Sequence, residues 1–84
     1  MGKKKIIWKD QAKDQLRAID QATALRILRA LSSLIDTGEG DVKRLRGIEP
    51  PEFRLRVGDY RLRFHDSGDI LEVTAVKHRR EAYR

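Results

Sequence analysis

The chain has 84 residues, enough for one small domain with a single core. It contains no cysteine, which excludes disulfides and thiolate metal sites, and its two histidines are too few for a convincing zinc site. Nineteen lysines and arginines against thirteen acidic residues give a net charge of +6, which favours a nucleic acid backbone or an acidic protein as partner.

The first half of the chain predicts one strand and two helices. Residues 5–8 are short, β-branched and aromatic and suit a first strand, in which Trp8 packs in the core or at an edge. Asp10 is a plausible N-cap for a first helix of about ten residues, because apolar residues follow it at helical spacing. After a break at residues 20–23, a second helix carries an apolar stripe at i, i+3, i+4 and i+7 and closes at Gly38.

Residues 52–65, EFRLRVGDYRLRFH, predict a β-hairpin. Gly58 in the first position of a two-residue turn permits the positive φ of a tight hairpin, so Val57 faces Tyr60 and the other pairs follow in register. Since side chains alternate along a strand, four arginines share one face: Arg54, Arg56, Arg61 and Arg63. Like charges placed opposite each other destabilise a hairpin by about 0.2–1 kcal/mol per pair. This face therefore indicates a polyanionic partner, with a plain solvated face as the alternative.

The remaining segments complete the predicted fold. A basic segment at residues 43–47 precedes the hairpin, and residues 70–76 predict a last strand. Alternation in that strand places one set of residues toward the core: Leu71, Val73 and Ala75. The order β-α-α-β-β-β predicts one α+β domain over residues 1–84, with a helical hairpin on one face of a largely antiparallel four-stranded sheet.

Signals for membranes, export and cofactors are missing from the sequence. No apolar run approaches the roughly 18 residues of a membrane span. The N-terminus lacks the apolar region of a signal peptide. We therefore expect a cytoplasmic protein that has no membrane partner, no metal site and no cofactor.

A set of motifs runs in order through nearly the whole chain. A strand with a tryptophan, two helices and a KRLRG segment precede RVGDYR at residues 56–61, and HRREAY follows at residues 78–83. Together they resemble the RelE/ParE toxins of bacterial and archaeal toxin–antitoxin pairs. In that family the RelE-like branch cleaves messenger RNA in the ribosomal A site, whereas the ParE-like branch poisons DNA gyrase without catalytic residues of that kind.

The RelE-like branch is the better match, because basic residues, a histidine and a tyrosine are all present where an RNA backbone could be clamped. The resemblance then implies a metal-independent endoribonuclease toxin that inhibits translation, with ribosome-bound messenger RNA as substrate. It also implies a cognate acidic antitoxin and a toxin–antitoxin hetero-oligomer. Gyrase inhibition is the alternative, and a non-enzymatic nucleic-acid-binding module is the third.

The resemblance assigns roles to individual residues. Arg61 matches the arginine that contacts the scissile phosphate, and Tyr83 matches a tyrosine that stacks on or polarises the substrate. His78 corresponds to a histidine that serves some branches as acid or base. The implied catalytic residues are Arg54, Arg61, His78, Arg79 and Tyr83. The implied RNA-binding residues are Lys43, Arg44, Arg46, Arg56, Arg63 and Arg80.

The proton transfers of such a reaction are not assigned by the sequence. Attack by a 2′ hydroxyl on a phosphate needs a base and an acid, and arginine, with a pKa above about 12, suits phosphate binding but not proton abstraction. Glu52 stands where certain members have lysine, and a cross-strand ion pair with His65 is the expected explanation of both residues. The candidates for base and acid are His78, Glu52, Tyr83, His65, the RNA and the ribosome.

Overall fold

The computed structural model describes residues 4–82, which form five strands and three helices. In chain order these are β1 (Lys5–Trp8), α1 (Asp10–Arg17), α2 (Gln21–Thr37), β2 (Asp41–Leu45), β3 (Glu52–Val57), β4 (Tyr60–Asp66), β5 (Ile70–His78) and α3 (Arg79–Ala82). One sheet has the strand order β1-β5-β4-β3-β2, with β1 parallel to β5 and all other neighbours antiparallel. The predicted α+β class is confirmed. None of the helices in this part of the chain is both long and apolar enough to cross a membrane.

The β3–β4 hairpin has the predicted register. Val57 pairs with Tyr60, and the pairs continue outward to Phe53 with Phe64. Gly58 has a φ of +58°, whereas no other kind of residue in the described chain has a positive φ. A positive φ at the first turn residue alone is the pattern of a type II′ turn, whose twist matches that of the flanking strands. The turn therefore determines which side chains meet on each face.

β2 is a fifth strand that the sequence analysis did not predict, so the expected number of four strands is wrong. It pairs antiparallel with β3, with Val42 opposite Leu55 and Lys43 opposite Arg54. β2 lies at the edge of the sheet, and four of its five residues are exposed. Because it buries so little, it needs no apolar alternation, and its backbone hydrogen bonds to β3 define it instead.

A β-bulge interrupts the pairing of β4 with β5. Arg63 pairs with Ala75, but the next residue, Phe64, pairs with Val73, so Thr74 has no pairing partner of its own in β4. The Thr74 hydroxyl donates a hydrogen bond to the Arg63 carbonyl at 3.2 Å. One extra residue in β5 reverses the alternation of all the residues that follow it.

The bulge corrects one prediction for β5. Leu71 and Val73 are buried in the core, as predicted. Ala75 is also buried, but it pairs with Arg63 on the other face of the sheet, so its predicted direction is wrong. Val76 takes the core position instead, because the bulge moves the even-numbered residues to that side.

The core lies between α1, α2 and one face of the sheet. Ile27 and Leu31 of α2 are fully buried there. They meet buried strand residues: Leu55, Leu62, Phe64, Leu71, Val73 and Val76. Trp8 packs against this cluster, as expected. The side-chain carbonyl of Gln15 in α1 accepts a hydrogen bond from the Val76 backbone N–H at 2.6 Å. β1 pairs with β5 only as far as Val73, so Gln15 supplies the acceptor that β1 does not provide at Val76.

The helix ends are capped by residues that prefer those positions. Asp20 is the N-cap of α2, and its carboxylate accepts the Thr23 backbone N–H at 3.0 Å. Gly38 ends α2 with a φ of +77°, as predicted. The predicted N-cap of α1 is wrong by one residue, since Lys9 occupies that position and Asp10 is the first helical residue. A negative charge in the first turn still favours the helix.

The Asp20 cap predicts a change in stability at low pH. The Thr23 backbone N–H, and then its hydroxyl, hold the pKa of the Asp20 carboxyl below its ordinary value of 3.8. Because the folded pKa lies below the unfolded one, the charge contributes fully above about pH 4 and its contribution is lost as pH falls through the folded pKa. Asp20→Asn keeps an N-cap but removes the titration. We expect its urea midpoint to vary less with pH below about pH 4 than that of the wild type, and identical profiles would contradict this.

Candidate nucleic-acid interface

The face of the sheet that points away from α1 and α2 is strongly basic. Cross-strand partners share a face, and two rows of partners cross this one. One row contains Lys43, Arg54 and Arg63, and the other contains Arg56, Arg61 and Lys77 and ends at Asp41, which pairs with Arg56. The six basic residues are called the arginine face. The face combines the four arginines expected from alternation with a lysine from each neighbouring strand, and such a cluster attracts polyanions.

Two arginines of the arginine face are partly or wholly withdrawn from water. Arg61 is only 8% exposed. The Nε of Arg54 is buried and has no hydrogen-bond partner among the described residues. Removing water from a cationic group costs free energy unless other partners replace it. A phosphate bound at Arg54 supplies both negative charge and acceptor oxygens, so the buried Nε of Arg54 favours anion binding over a plain solvated face.

A cleft of about 260 Å³ lies at the tip of the β3–β4 hairpin and is lined by Arg56, Gly58, Arg61 and Arg79. This hollow is called the arginine cleft. The Arg79 backbone N–H donates to the Asp59 carbonyl at 2.7 Å, which holds the start of α3 against the turn. The Arg79 guanidinium lies 3.8 Å from the Asp59 carboxylate, but both side chains are more than 60% exposed (63% and 64%). Such an exposed pair is weak and leaves Arg79 available to a ligand.

Glu52 and His65 form the expected cross-strand pair beside the arginine face. Glu52 Oε2 lies 3.8 Å from His65 Nε2, and Glu52 Oε1 lies 3.7 Å from Nε of Arg63. His65 Nδ1 donates to the Pro51 carbonyl at 2.9 Å, because a carbonyl oxygen can only accept. Neither residue lines the arginine cleft. The described residues contain no group of three or more histidine and carboxylate side chains arranged to hold a metal ion.

His78 does not line the arginine cleft. It pairs with Tyr60 and packs edge-on against the Tyr60 ring, with centroids 5.2 Å apart and an interplanar angle of 89°. Tyr60 packs against the core, so His78 is on the side of the sheet opposite Arg61. Its Nδ1 accepts the Arg80 backbone N–H at 3.2 Å, which places the proton of the neutral ring on Nε2. Tyr83 lies outside the described residues.

The predicted RNA-binding residues are divided between several places. Three of them lie on the arginine face: Lys43, Arg56 and Arg63. Arg44 pairs with Phe53 and therefore lies on the opposite face. Arg46 lines a separate hollow formed by residues 44–49, at the end of β2 and in the connection from β2 to β3. Arg80 is exposed in α3.

Lys77 is a basic residue of the arginine face that sequence analysis missed. Alternation from Leu71 and Val73 places Lys77 toward the core, but the bulge at Thr74 turns it to pair with Arg61 on the other side. Threonine is an ordinary strand residue, so nothing in the local sequence marks the bulge. Thr74 is recognised as the extra residue of β5 only when β5 is paired with β4.

Known structures share this fold. One chain of the RelB–RelE antitoxin–toxin complex from Methanococcus jannaschii has 21% identity and a TM-score of 0.75, with 92% of this chain and 94% of that chain covered. The RelE–RelB complex from Pyrococcus horikoshii OT3 gives 21% identity, a TM-score of 0.75 and coverage of 93% and 97%. The YoeB dimer from Staphylococcus aureus gives 16% identity and a TM-score of 0.75, with 92% of this chain and 98% of that chain covered.

Sequence comparison gives the family. No curated protein matches the chain. The family model for the ParE toxin of the type II toxin–antitoxin system, parDE, matches residues 6–83, which is nearly the whole chain. The chain therefore belongs to the ParE toxin family of type II toxin–antitoxin systems, within the RelE/ParE toxin superfamily.

Proposed function

We propose that this toxin is an endoribonuclease that cuts messenger RNA in the ribosomal A site and so inhibits translation in the cytoplasm. The arginine cleft is the observation that carries the proposal, because Arg56, the buried Arg61 and Arg79 line one hollow. Guanidinium groups bind phosphate oxygens in bidentate geometry, which positions a phosphodiester as well as attracting it. The other side chains of the arginine face extend the contact along the RNA backbone.

The proposed reaction is attack of a 2′ hydroxyl on the adjacent phosphate. A base takes the hydroxyl proton, the bond between O2′ and phosphorus forms, the bond to O5′ breaks, and an acid protonates O5′. The products are a 2′,3′-cyclic phosphate and a 5′ hydroxyl. Arg61 stabilises the negative charge that develops on the phosphate oxygens. Arg54 and Arg79 assist in binding that phosphate, and the scheme uses no metal ion. Tyr83, the RNA and the ribosome are the candidates for the proton transfers, since His78 lies on the other side of the sheet from Arg61.

An acidic antitoxin is the proposed protein partner. Two of the similar structures are antitoxin–toxin complexes of RelB with RelE. The net charge of +6 favours an acidic, partly disordered segment that folds over the arginine face when it binds. Such a segment silences the toxin by occupying the surface that RNA would use.

Inhibition of DNA gyrase is the second candidate function. The matching family model is named for ParE. The resemblance described above implies that the ParE-like branch of these toxins acts on gyrase. Gyrase inhibition requires no proton transfer by the toxin. The position of His78 against Tyr60, outside the arginine cleft, is compatible with that mechanism.

Parallel assays of translation and supercoiling test the two functions. Purified toxin is added to ribosomes that carry a defined message, and separately to gyrase with relaxed plasmid. We expect cuts at fixed positions relative to the codon in the A site and unchanged supercoiling. The same message without ribosomes is the control for cleavage that does not depend on the ribosome. Inhibited supercoiling together with an intact message would reject the nuclease in favour of gyrase inhibition.

A further inference from the structure

Arg26 of α2 lies against the tip of the β3–β4 hairpin. A Cβ atom built on Gly58 would be 3.4 Å from Nη2, 3.7 Å from Nη1 and 3.8 Å from Cζ of Arg26. The guanidinium group therefore covers Gly58 closely. This contact joins residues 32 positions apart in the chain, and nothing in the local sequence of α2 predicts it.

Gly58 also lines the arginine cleft, so it has guanidinium groups on two sides. Arg26 approaches it from α2, and three other arginines share the cleft with it: Arg56, Arg61 and Arg79. Asp59 is the neighbouring carboxylate, and it lies 3.8 Å from Arg79 in a highly exposed pair that is screened by water. Asp41, which pairs with Arg56, is a second carboxylate, so the hairpin tip still carries more positive than negative charge.

The Arg26 side chain could extend into water instead of lying against Gly58. Arg26 is exposed on a surface helix, where a long side chain can extend into water and away from other cations. Like charges held close together raise the free energy of the folded protein. Arg26 contacts Gly58 but does not line the arginine cleft. Its position is favourable when a polyanion bound in the cleft continues past Gly58, because the Arg26 guanidinium then gains a charged acceptor.

We infer that Arg26 binds a phosphate of the RNA backbone on the α2 side of the hairpin tip. The RNA strand then passes from the arginine face around Gly58 and Asp59 toward α2, and does not end on the sheet. Arg26 is a positioning residue in this arrangement, and the reacting phosphate stays with Arg61. The inference rests on the proposed function, because it requires RNA as the ligand of the arginine cleft.

The test compares two arginines of the same helix. Arg26→Ala and Arg29→Ala remove the same charge from exposed positions of α2, but only Arg26 covers Gly58. The probe is a single-stranded RNA oligonucleotide with 2′-O-methyl sugars, which cannot be cleaved. We expect Arg26→Ala to weaken binding and to reduce the slope of log K against log salt by about 0.7, the value for one phosphate contact on a single strand. Arg29→Ala should leave that slope unchanged.

A second measurement separates positioning from general charge. Each phosphate of the probe is replaced in turn by an uncharged methylphosphonate. If Arg26 binds one particular phosphate, replacing that phosphate lowers the affinity of the wild type but not that of Arg26→Ala. The methylphosphonate and the substitution of Arg26 each remove the same contact, so their effects do not add. Cleavage of ribosome-bound message by Arg26→Ala should need a higher toxin concentration for its half-maximal rate than cleavage by the wild type or by Arg29→Ala, because the variant weakens RNA binding.

The outcomes distinguish the inference from the proposed function. Salt-dependent binding by the wild type, with Arg26→Ala and Arg29→Ala indistinguishable, overturns the inference and leaves the proposed function intact. Wild-type protein that shows no salt-dependent binding of this RNA also overturns the inference, whereas only the ribosome and gyrase assays decide the proposed function. Melting temperatures equal to that of the wild type establish that both variants fold, as expected for exposed positions.

Discussion

Arg61→Ala is expected to lower the rate of message cleavage by about 10²-fold or more, on the scale of losing one donor to a developing oxyanion. Arg61 is 8% exposed and lines the arginine cleft, so its guanidinium is positioned by packing before substrate arrives. RNA binding should fall far less, because other arginines still hold the backbone. The measurement is single-turnover cleavage of ribosome-bound message at saturating toxin, together with the affinity for an uncleavable RNA.

Arg63→Ala is the matched control, since Arg63 is on the same strand and the same face but is 51% exposed. It should weaken binding and leave the saturated rate nearly unchanged. Arg61→Lys keeps the charge but loses the planar fork, so an intermediate rate would show that bidentate geometry matters. Arg61 is buried, so unfolding curves must first show that its variants fold. Wild-type rates in Arg61→Ala, His78→Ala and Tyr83→Ala alike would overturn the assignment of these three residues to catalysis.

Leu31→Ala is expected to lower the free energy of unfolding by about 2–5 kcal/mol. Leu31 is fully buried where α2 meets the sheet, so its loss removes apolar contact and leaves a cavity that the neighbouring strands can only partly close. A domain of this size loses about 4–8 °C of melting temperature per kcal/mol. A decrease of at least about 8 °C is therefore expected, and urea unfolding measures the free energy directly.

Leu25→Ala makes the same chemical change on the same helix at a position that is 44% exposed. It should cost about 0.5 kcal/mol or less. Equal destabilisation by Leu31→Ala and Leu25→Ala would contradict this. It would mean that the loss comes from helix propensity or from a contact outside the core, and not from the burial of Leu31 between α2 and the sheet. The comparison matters for function because α2 also carries Arg26, whose position over Gly58 depends on this packing.

The hairpin and the second helix could be predicted because their causes lie within a few residues. A glycine at the first turn position sets the register of β3 and β4, and strict alternation then places four arginines on one face. The apolar stripe of α2 requires only helical periodicity, and Gly38 ends it through its own φ. These local rules predicted the α+β class and most of the arginine face.

The number of strands and the composition of the site depend on contacts between distant parts of the chain. β2 carries no apolar pattern and becomes a strand only when β3 offers its backbone groups. His78 was expected with the catalytic arginines, yet the bulge at Thr74 places it beside Tyr60 and moves Lys77 next to Arg61. The alternation of side chains along β5 alone does not reveal that Thr74 is an extra residue, because the bulge is defined by the pairing with β4.

Local sequence determines backbone dihedral angles, turn types and amphipathic faces, because each depends on neighbours within one or two turns of chain. The arginine cleft requires more than these, since Arg56, Arg61 and Arg79 come from three different segments and Arg26 reaches the hairpin tip from a fourth. Their distances depend on how the helices pack against the sheet and on the register of β5 with β4. Packing and register minimise free energy over the whole domain, so only the tertiary structure decides which charges share one hollow.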